Sequence, residues 1–172
     1  AWLRTISPLS CKIYERFLSM NVFDSMMSAY AIQSDADYQN ALHEVMQKIA
    51  LAGLHRGNFF SNAAFYGGTC LHLFHDLPRF SEDMDFSLMQ ENPLFALDDY
   101  ADAIVTEFKA LGREVTFTRK ETPRHSAIES AFLKDNTAIY NLAFKTERTV
   151  KIKIEVDTSP PLGFKTTNHT LL

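Results

Sequence analysis

Three stretches of the chain repeat apolar residues at the spacing of an amphipathic helix. The first follows Ser7-Pro8, where an N-cap residue precedes a proline at the first helical position. The second follows Asp35 and ends near Gly57-Asn58. The third covers residues 98–111 and is closed by Gly112. These spacings and end signals predict three helices.

Strands are predicted where apolar and polar residues alternate, because successive side chains of a strand point to opposite faces. Residues 83–88 alternate in this way and place their apolar members on one face: Met84, Phe86 and Leu88. Three other segments are strand candidates: residues 114–119, residues 127–133 and residues 150–157. The aromatic-rich residues 59–66 are predicted to be extended and to enter a tight turn at Gly67-Gly68.

A short helix is predicted between this turn and the strand at residues 83–88. It covers residues 69–76 and directs its apolar side chains inward: Leu71, Phe74 and Leu77. Pro78 cannot continue a helix, so residues 77–81 form a connector. Together the elements predict an α/β (α+β) domain with a mixed central sheet and flanking helices. We expect an N-terminal helical segment at residues 1–57 and a core at residues 58–172.

The composition narrows the classes of protein to which the chain can belong. With 172 residues, of which 46% are apolar, it can fold as one domain without disulfides or a structural metal. Its net charge of −4 gives no general attraction to nucleic acid, so any such contact must be local. Two cysteines, Cys11 and Cys70, form no CxxC pair and indicate a reducing, cytoplasmic setting.

Neither a membrane-length apolar run nor a signal peptide is present in the sequence. The sequence ends on the apolar pair Leu171-Leu172, without a cap or a polar tail. We therefore expect the chain to be a fragment of a longer protein without a membrane partner.

The candidate chemistry begins with two carboxylates on one predicted strand. Asp83 and Asp85 are two residues apart, so their side chains lie on the same face, about 6.5–7 Å apart along the backbone. Two neighbouring carboxylates repel each other, and a cation between them relieves the repulsion. Hard oxygen ligands suit Mg²⁺ or Mn²⁺, the ions of phosphoryl-transfer sites. The alternative is a pair of solvated aspartates at the end of a strand.

A glycine pair precedes these carboxylates by one short helix. Gly67-Gly68 at the start of a helix exposes backbone N–H groups and the positive end of the helix dipole, a combination that binds phosphate. Thr69 can add a hydroxyl group, and Gly68 is the position at which we expect a positive φ. The alternative is a simple turn.

A third acidic position lies on the last predicted strand. Period-two alternation in residues 150–157 places Lys153, Glu155 and Asp157 on one face. Glu155, in the middle of the strand, is predicted to be the general base or third metal ligand, and Lys153 to neutralise a triphosphate. Asp157 at the strand end is predicted to cap the following turn, although it remains the alternative third acid. Such a face also occurs on a simple edge strand.

Three blocks of the sequence resemble the AbiEii/AbiGii toxin family: residues 65–69 (FYGGT), residues 77–86 (LPRFSEDMDF) and residues 153–161 (KIEVDTSPP). The family consists of polymerase-beta-like nucleotidyltransferases of type IV toxin–antitoxin and abortive-infection systems. The resemblance, which covers about residues 59–163, implies that the glycine turn holds a nucleotide and that the DxD carboxylates bind metal. It also implies transfer of a nucleotide to an acceptor, which is tRNA for some toxins, and a cognate antitoxin. The family usually continues into a C-terminal helical half with Lys and Arg-Asp motifs, and we expect that half to lie beyond the residues given in this sequence.

We therefore expect residues 58–172 to be the core of a nucleotidyltransferase that moves an NMP from an NTP to RNA, tRNA or protein. Its nucleotide-binding residues are predicted to be Gly67, Gly68, Thr69, Ser81 and Lys153. Its catalytic residues and Mg²⁺ or Mn²⁺ ligands are predicted to be Asp83, Asp85 and Glu155.

Two other functions remain open: a non-catalytic module that binds a nucleotide or a partner, and a metal-dependent nuclease. The Lys-x-Glu order at Lys153 and Glu155 counts against the nuclease, whose sites often contain Glu-x-Lys. His72 and His75, three residues apart on a helix, could ligate zinc but more often serve in packing. A basic stretch could contact RNA or be a solvated face: Arg113, Arg119, Lys120 and Arg124.

Overall fold

The computed structural model describes residues 21–92, 94–119, 137–144, 150–159 and 163–170. The predicted helix after Ser7-Pro8 and the predicted strand at residues 127–133 lie outside these ranges. Within them, no helix is both long and apolar enough to cross a membrane. The division of the chain at residue 57 stays a prediction.

The described residues contain four α-helices: α1 (Val22–Ser28), α2 (Asp35–Arg56), α3 (Gly67–His75) and α4 (Ala101–Ala110). The predicted helix after Asp35 is confirmed as α2. It begins where the Ser34 hydroxyl accepts a hydrogen bond from the Asp37 N–H, and Gly57 follows its last turn. The predicted helix at 98–111 begins instead as a 3-10 turn, Leu97–Tyr100, and continues as α4. Helix α1 was not predicted.

Five strands form one mixed sheet: β1 (Ala63–Tyr66), β2 (Asp83–Leu88), β3 (Val115–Arg119), β4 (Thr137–Phe144) and β5 (Val150–Asp157). Their order is β1-β2-β5-β4-β3. Among these five described strands, β2 and β5 pair in parallel and the other neighbours pair antiparallel. The prediction of an α/β domain with a mixed central sheet and flanking helices is confirmed. Strand β4, which pairs with both β3 and β5, was not predicted.

The core lies between the helices and one face of the sheet. The predicted inward residues of β2, Met84, Phe86 and Leu88, are buried together with the alternate residues of β5. Helix α2 packs on β5 and α4, and Gly53 permits the close approach to α4, since a Cβ there would lie 2.7 Å from the Ile104 Cα. Each buried large side chain contributes roughly 1.5–3 kcal/mol. The alternating polar residues of β2 and β5 therefore lie on the opposite face of the sheet.

The predicted orientation of the helix after the glycine pair is wrong in part. Leu71 and Leu77 were expected to face inward but are 47% and 36% exposed, whereas Phe74 packs against the core. The buried residue of α3 is Thr69, which is polar, so a search for apolar periodicity selects the wrong stripe. The segment at residues 59–66 was also predicted as extended throughout, but it begins with a 3-10 turn, Phe59–Ser61.

Candidate active site

A row of polar side chains crosses the open face of the sheet at β2 and β5. In the parallel pairing of these strands, Asp83 lies beside Lys153 and Asp85 lies beside Glu155. The intervening residues Met84 and Ile154 are buried, so the four polar residues share the other face. Two carboxylates predicted from one strand and a third predicted from another, far away in sequence, are thus adjacent in the structure.

Lys153 is the cation within this row. Its Nζ donates to Glu155 Oε1 at 2.6 Å and lies 3.7 Å from Asp83 Oδ2. The hydrogen bond to Glu155 is the main reason that the pKa of Lys153 is raised. One ammonium group therefore serves two of the three carboxylates, and its side chain remains 37% exposed.

Asp85 carries the largest electrostatic perturbation of the row. Burial, followed by the charges of Glu155 and Asp83 and by hydrogen bonding to Glu155, raises the pKa of Asp85 to about 6, against a weaker opposing effect of Lys153. Like charges and partial burial both disfavour an ionised carboxyl group. The row thus contains more negative charge than its own lysine neutralises.

The glycine turn lies directly against these carboxylates. Gly67 has φ +80°, and a Cβ at this position would overlap the Asp85 carboxylate. The positive φ was expected at Gly68 instead. Gly68 lies within α3, where a Cβ would lie 3.1 Å from Ser81 Oγ, so its small size matters for contact rather than for conformation. Gly67, Gly68, Ser81 and Asp85 therefore meet at the N-terminus of α3.

Thr69 and Asp157 make backbone contacts at the edges of this group. The buried Thr69 hydroxyl donates to the carbonyl oxygen of Asp83 and lies 3.3 Å from that of Ser81, so it fixes the start of β2. The Asp157 carboxylate accepts from the N–H of Ser159 at 2.9 Å, the predicted capping contact after β5. Asp157 pairs with Ser87, two residues along β2 from Asp85.

The sequence pattern of one family, described as nucleotidyl transferase AbiEii toxin, type IV TA system, matches residues 49–171. The chain belongs to the AbiEii family. The predicted resemblance is thereby confirmed, and the matched residues include the glycine turn and all three carboxylates.

Two solved structures are similar to this member of the AbiEii family. JHP933 from Helicobacter pylori is 20% identical with a TM-score of 0.46, and the match covers 72% of this chain and 47% of that one. MenT4, a nucleotidyltransferase toxin from Mycobacterium tuberculosis H37Rv, is 18% identical with a TM-score of 0.46, and the match covers 79% of this chain and 44% of that one. The chain thus spans less than half of either solved chain. A search of curated proteins found no match.

The donor set of the row suits the divalent cation that the AbiEii family implies. It contains carboxylate oxygens without sulfur or imidazole, the preference of Mg²⁺ and Mn²⁺. Among the residues that the structure describes, no group of three His, Cys, Asp or Glu side chains is already arranged to hold a metal ion. The Lys153 ammonium lies within 4 Å of carboxylate oxygens of both Asp83 and Glu155, and its side chain is partly exposed. The carboxylate donors therefore fit a divalent cation in chemistry and in charge.

The alternative sites do not form comparable groups. The two ring nitrogens of His72 contact the Leu77 carbonyl oxygen at 2.6 Å and Glu44 Oε2 at 3.1 Å, which is a packing role rather than a zinc site. The Arg113 guanidinium lies over the Phe23 ring, 3.9 Å from its centroid. Lys120 and Arg124 of the basic stretch lie outside the described residues.

Two residues beside the site were not singled out from the sequence. Tyr66 pairs with Asp85 across β1 and β2, and its ring is 49% exposed on the carboxylate face. Gln47 of α2 is fully buried and donates to the connector before β2. The signal for Tyr66 is its place directly before the glycine turn. For Gln47 it is an uncharged polar residue beside the apolar stripe of a helix.

Proposed function

We propose that this chain carries the nucleotidyl-transfer site of a type IV toxin. The observation that supports the proposal is the contact of the glycine turn at Gly67 with Asp85, which is itself adjacent to Glu155. A phosphate-binding helix N-terminus and a set of cation-binding carboxylates are the two parts that transfer from a nucleoside triphosphate needs. In this proposal, Gly67 belongs to the first part and Asp85 and Glu155 belong to the second.

In the proposed reaction, an acceptor hydroxyl oxygen forms a bond to the α-phosphorus of an NTP, and the bond from that phosphorus to the bridging oxygen of the β-phosphate breaks. Pyrophosphate leaves with the electron pair of that bond. Glu155 takes the proton of the attacking hydroxyl, and the nucleotide remains on the acceptor. Acceptor and donor are aligned before reaction, so positioning and charge stabilisation account for most of the rate.

The site residues have distinct roles in this proposal. Backbone N–H groups at Gly67 and Gly68 bind phosphate oxygens, with Ser81 and Thr69 shaping the cradle. Asp83, Asp85 and Glu155 would hold Mg²⁺ or Mn²⁺, and the ion would neutralise charge on the triphosphate. Lys153, freed from the carboxylates, moves to the phosphate chain.

The partners follow from the family and the chemistry. The proposed acceptor is RNA, with tRNA as the first candidate and protein as the alternative. A type IV toxin family also implies a cognate antitoxin. We propose that the reaction takes place in the cytoplasm, where NTPs and these acceptors are available.

Incubation with each of the four α-³²P-labelled NTPs, Mn²⁺ and total RNA tests the proposal. We expect label from one or more NTPs to enter RNA in the wild type and none to enter with the Asp85→Asn variant. Label in protein would identify a protein acceptor. Bound but untransferred label would support the nucleotide-binding module instead, and shortening of RNA without added NTP would support the nuclease.

A further inference from the structure

We infer that Gln47 is a positioning residue for the candidate site, because its side chain fixes the backbone that carries Ser81 and Asp83. Gln47 lies on α2, outside the glycine turn and the carboxylate row. The inference rests on the proposed function, since the residues that Gln47 positions are those to which nucleotide and cation binding are assigned.

The side chain of Gln47 is a polar group in an apolar setting. It is fully buried, as are its neighbour Met46 and the nearby Ile49. Its Nε2 donates to the carbonyl oxygens of Ser81 at 2.8 Å and Glu82 at 3.2 Å. Its Oε1 is buried without a hydrogen-bond partner among the described residues. Burying an unpaired polar atom is unfavourable, so an apolar side chain would suit packing alone better, and the two hydrogen bonds are what the glutamine adds.

These hydrogen bonds hold the C-terminal end of the connector, directly before β2. Residues Ser81 and Glu82 have no regular secondary structure, so their carbonyl groups need partners from elsewhere. Gln47 supplies donors from α2, while the Thr69 hydroxyl supplies one from α3 to Ser81 and Asp83. Side chains from two helices thus fix three successive carbonyl groups, those of residues 81–83, at the point where the connector enters β2.

The location of this anchor determines two parts of the site together. Ser81 Oγ would lie 3.1 Å from a Cβ at residue 68, so movement of the connector alters the phosphate cradle. Asp83 is the next residue but one, so the same movement alters the first carboxylate. A displacement of about 1 Å in a reacting group can reduce a rate about 10²-fold.

The test compares Gln47→Met with Ile49→Val, a buried substitution on the same helix that removes no bond to the connector. We expect Gln47→Met to lower kcat for nucleotide transfer by about 10-fold to 10²-fold with a smaller change in the KM for NTP, while Ile49→Val leaves both within about twofold. We also expect Gln47→Met to require a higher Mn²⁺ concentration for half-maximal thermal stabilisation.

Hydrogen–deuterium exchange provides a readout that does not depend on activity. Amide exchange in a peptide covering residues 77–83 should become at least ~10-fold faster in Gln47→Met and stay unchanged in Ile49→Val. Only in the first variant do the carbonyl groups of the connector lose their Gln47 donor, so only there should the connector open more often and expose its amide groups to exchange. If Gln47→Met does not fold, Gln47→Asn, whose amide is one methylene too short to reach, replaces it in both assays.

Equal exchange and equal kinetics in the Gln47 variant and the Ile49→Val control would overturn the inference. If the wild type transfers no nucleotide, the proposed function fails. Faster exchange of the connector in Gln47→Met would then still show that Gln47 positions Ser81 and Asp83, so the two failures are distinguishable.

Discussion

Two clusters of ionisable side chains in this molecule contain similar groups but balance their charges differently. The helix cluster, between α1, α2 and α3, consists of Tyr30, Glu44, Lys48 and His72. The carboxylate row on the sheet consists of Asp83, Asp85, Lys153 and Glu155. In the helix cluster, Glu44 receives contacts from all three other members, at 2.8 Å from Tyr30, 3.0 Å from Lys48 and 3.1 Å from His72. In the carboxylate row, the one lysine contacts only two of the three acids, Asp83 and Glu155.

The pKa values reflect this difference. Burial tends to raise the pKa of Glu44, but hydrogen bonds from His72, Lys48 and Tyr30 outweigh it, and the pKa is lowered. Burial also acts on Asp85, where the neighbouring Glu155 and Asp83 add to it and raise the pKa to about 6. The charge of the Glu44 carboxylate is balanced by its three donors, whereas Asp85 lies among other acids that disfavour its ionised form.

The largest effect is expected from the third acid of the row. Glu155→Gln should lower nucleotide transfer by at least ~10²-fold, the lower range for losing a general base. Asp157→Asn is the matched control, because its carboxylate caps the turn at Ser159, and it should lower stability slightly while sparing most activity. Initial rates with labelled NTP measure both. An active Glu155→Gln together with an inactive Asp157→Asn would show that Asp157 is the third acid.

Stabilisation by metal should depend on the carboxylate row and not on the helix cluster. Mn²⁺ at about a hundred times its dissociation constant should stabilise the wild type by about 2.7 kcal/mol, because only the folded protein aligns the carboxylates. Asp83→Asn should abolish this gain, whereas Glu44→Gln in the helix cluster should retain it. Thermal melts with and without Mn²⁺ decide the matter, and an unchanged wild-type Tm at millimolar Mn²⁺ would exclude the metal site.

Substitution in the glycine turn should affect the row through direct contact. Gly67→Ala adds a methyl group that overlaps the Asp85 carboxylate and forces alanine into a positive φ, which costs about 1–2 kcal/mol. Because the overlap with Asp85 adds to this conformational cost, we expect the free energy of unfolding to fall by more than that amount and NTP binding to be lost. Gly112 also has a positive φ, but nothing lies within 4 Å of its Cβ position, so Gly112→Ala isolates the conformational cost.

If Gly112→Ala and Gly67→Ala weaken NTP binding equally in isothermal titration, the glycine pair is only a turn. The companion variant Gly68→Val should also lose NTP binding while its circular dichroism stays nearly native, since valine would crowd Ser81.

The smallest effect should arise in the helix cluster. The hydrogen bond to the Leu77 carbonyl oxygen raises the pKa of His72, and the contact with Glu44 adds to this rise, while desolvation opposes it. The stabilisation from His72 is therefore complete below its unfolded pKa of about 6.5 and is lost as the pH rises through its folded pKa. The lowered pKa of Glu44 makes its contribution present above about 4.5 and lost as pH falls through its folded value. The pair therefore contributes most between about pH 4.5 and 6.5.

His72→Gln should reduce the free energy of unfolding by about 0.3–1 kcal/mol at pH 5.5 and by less at pH 8.5, since His72 is partly exposed and solvent screens the pair. Urea titrations at the two pH values measure this difference. A pH-independent effect would mean that His72 acts through packing alone.

The sequence predicts the polar and apolar faces of β2 and β5, but it does not predict how these strands pair. Alternation in β2 and β5 identifies the faces of Asp83, Asp85 and Glu155, because the side-chain period of a strand is a local property. It does not specify that Asp85 lies beside Glu155, which depends on a parallel pairing between distant strands. The roles of Thr69 and Gln47 are also hidden, since their partners are backbone carbonyl groups that carry no residue-specific signal.

The parallel pairing of β2 with β5 also has a consequence for the time at which the site first exists. Asp85 and Glu155 are neighbours in the sheet, but they stand seventy positions apart in the chain, at residues 85 and 155. During synthesis at about 5–20 residues per second, Asp85 leaves the ribosome roughly 4–14 s before Glu155. Throughout that interval the nascent chain contains the glycine turn and the first two acids but lacks the third. The pairing of Asp85 with Glu155 therefore forms only after β5 has been synthesised and has docked beside β2.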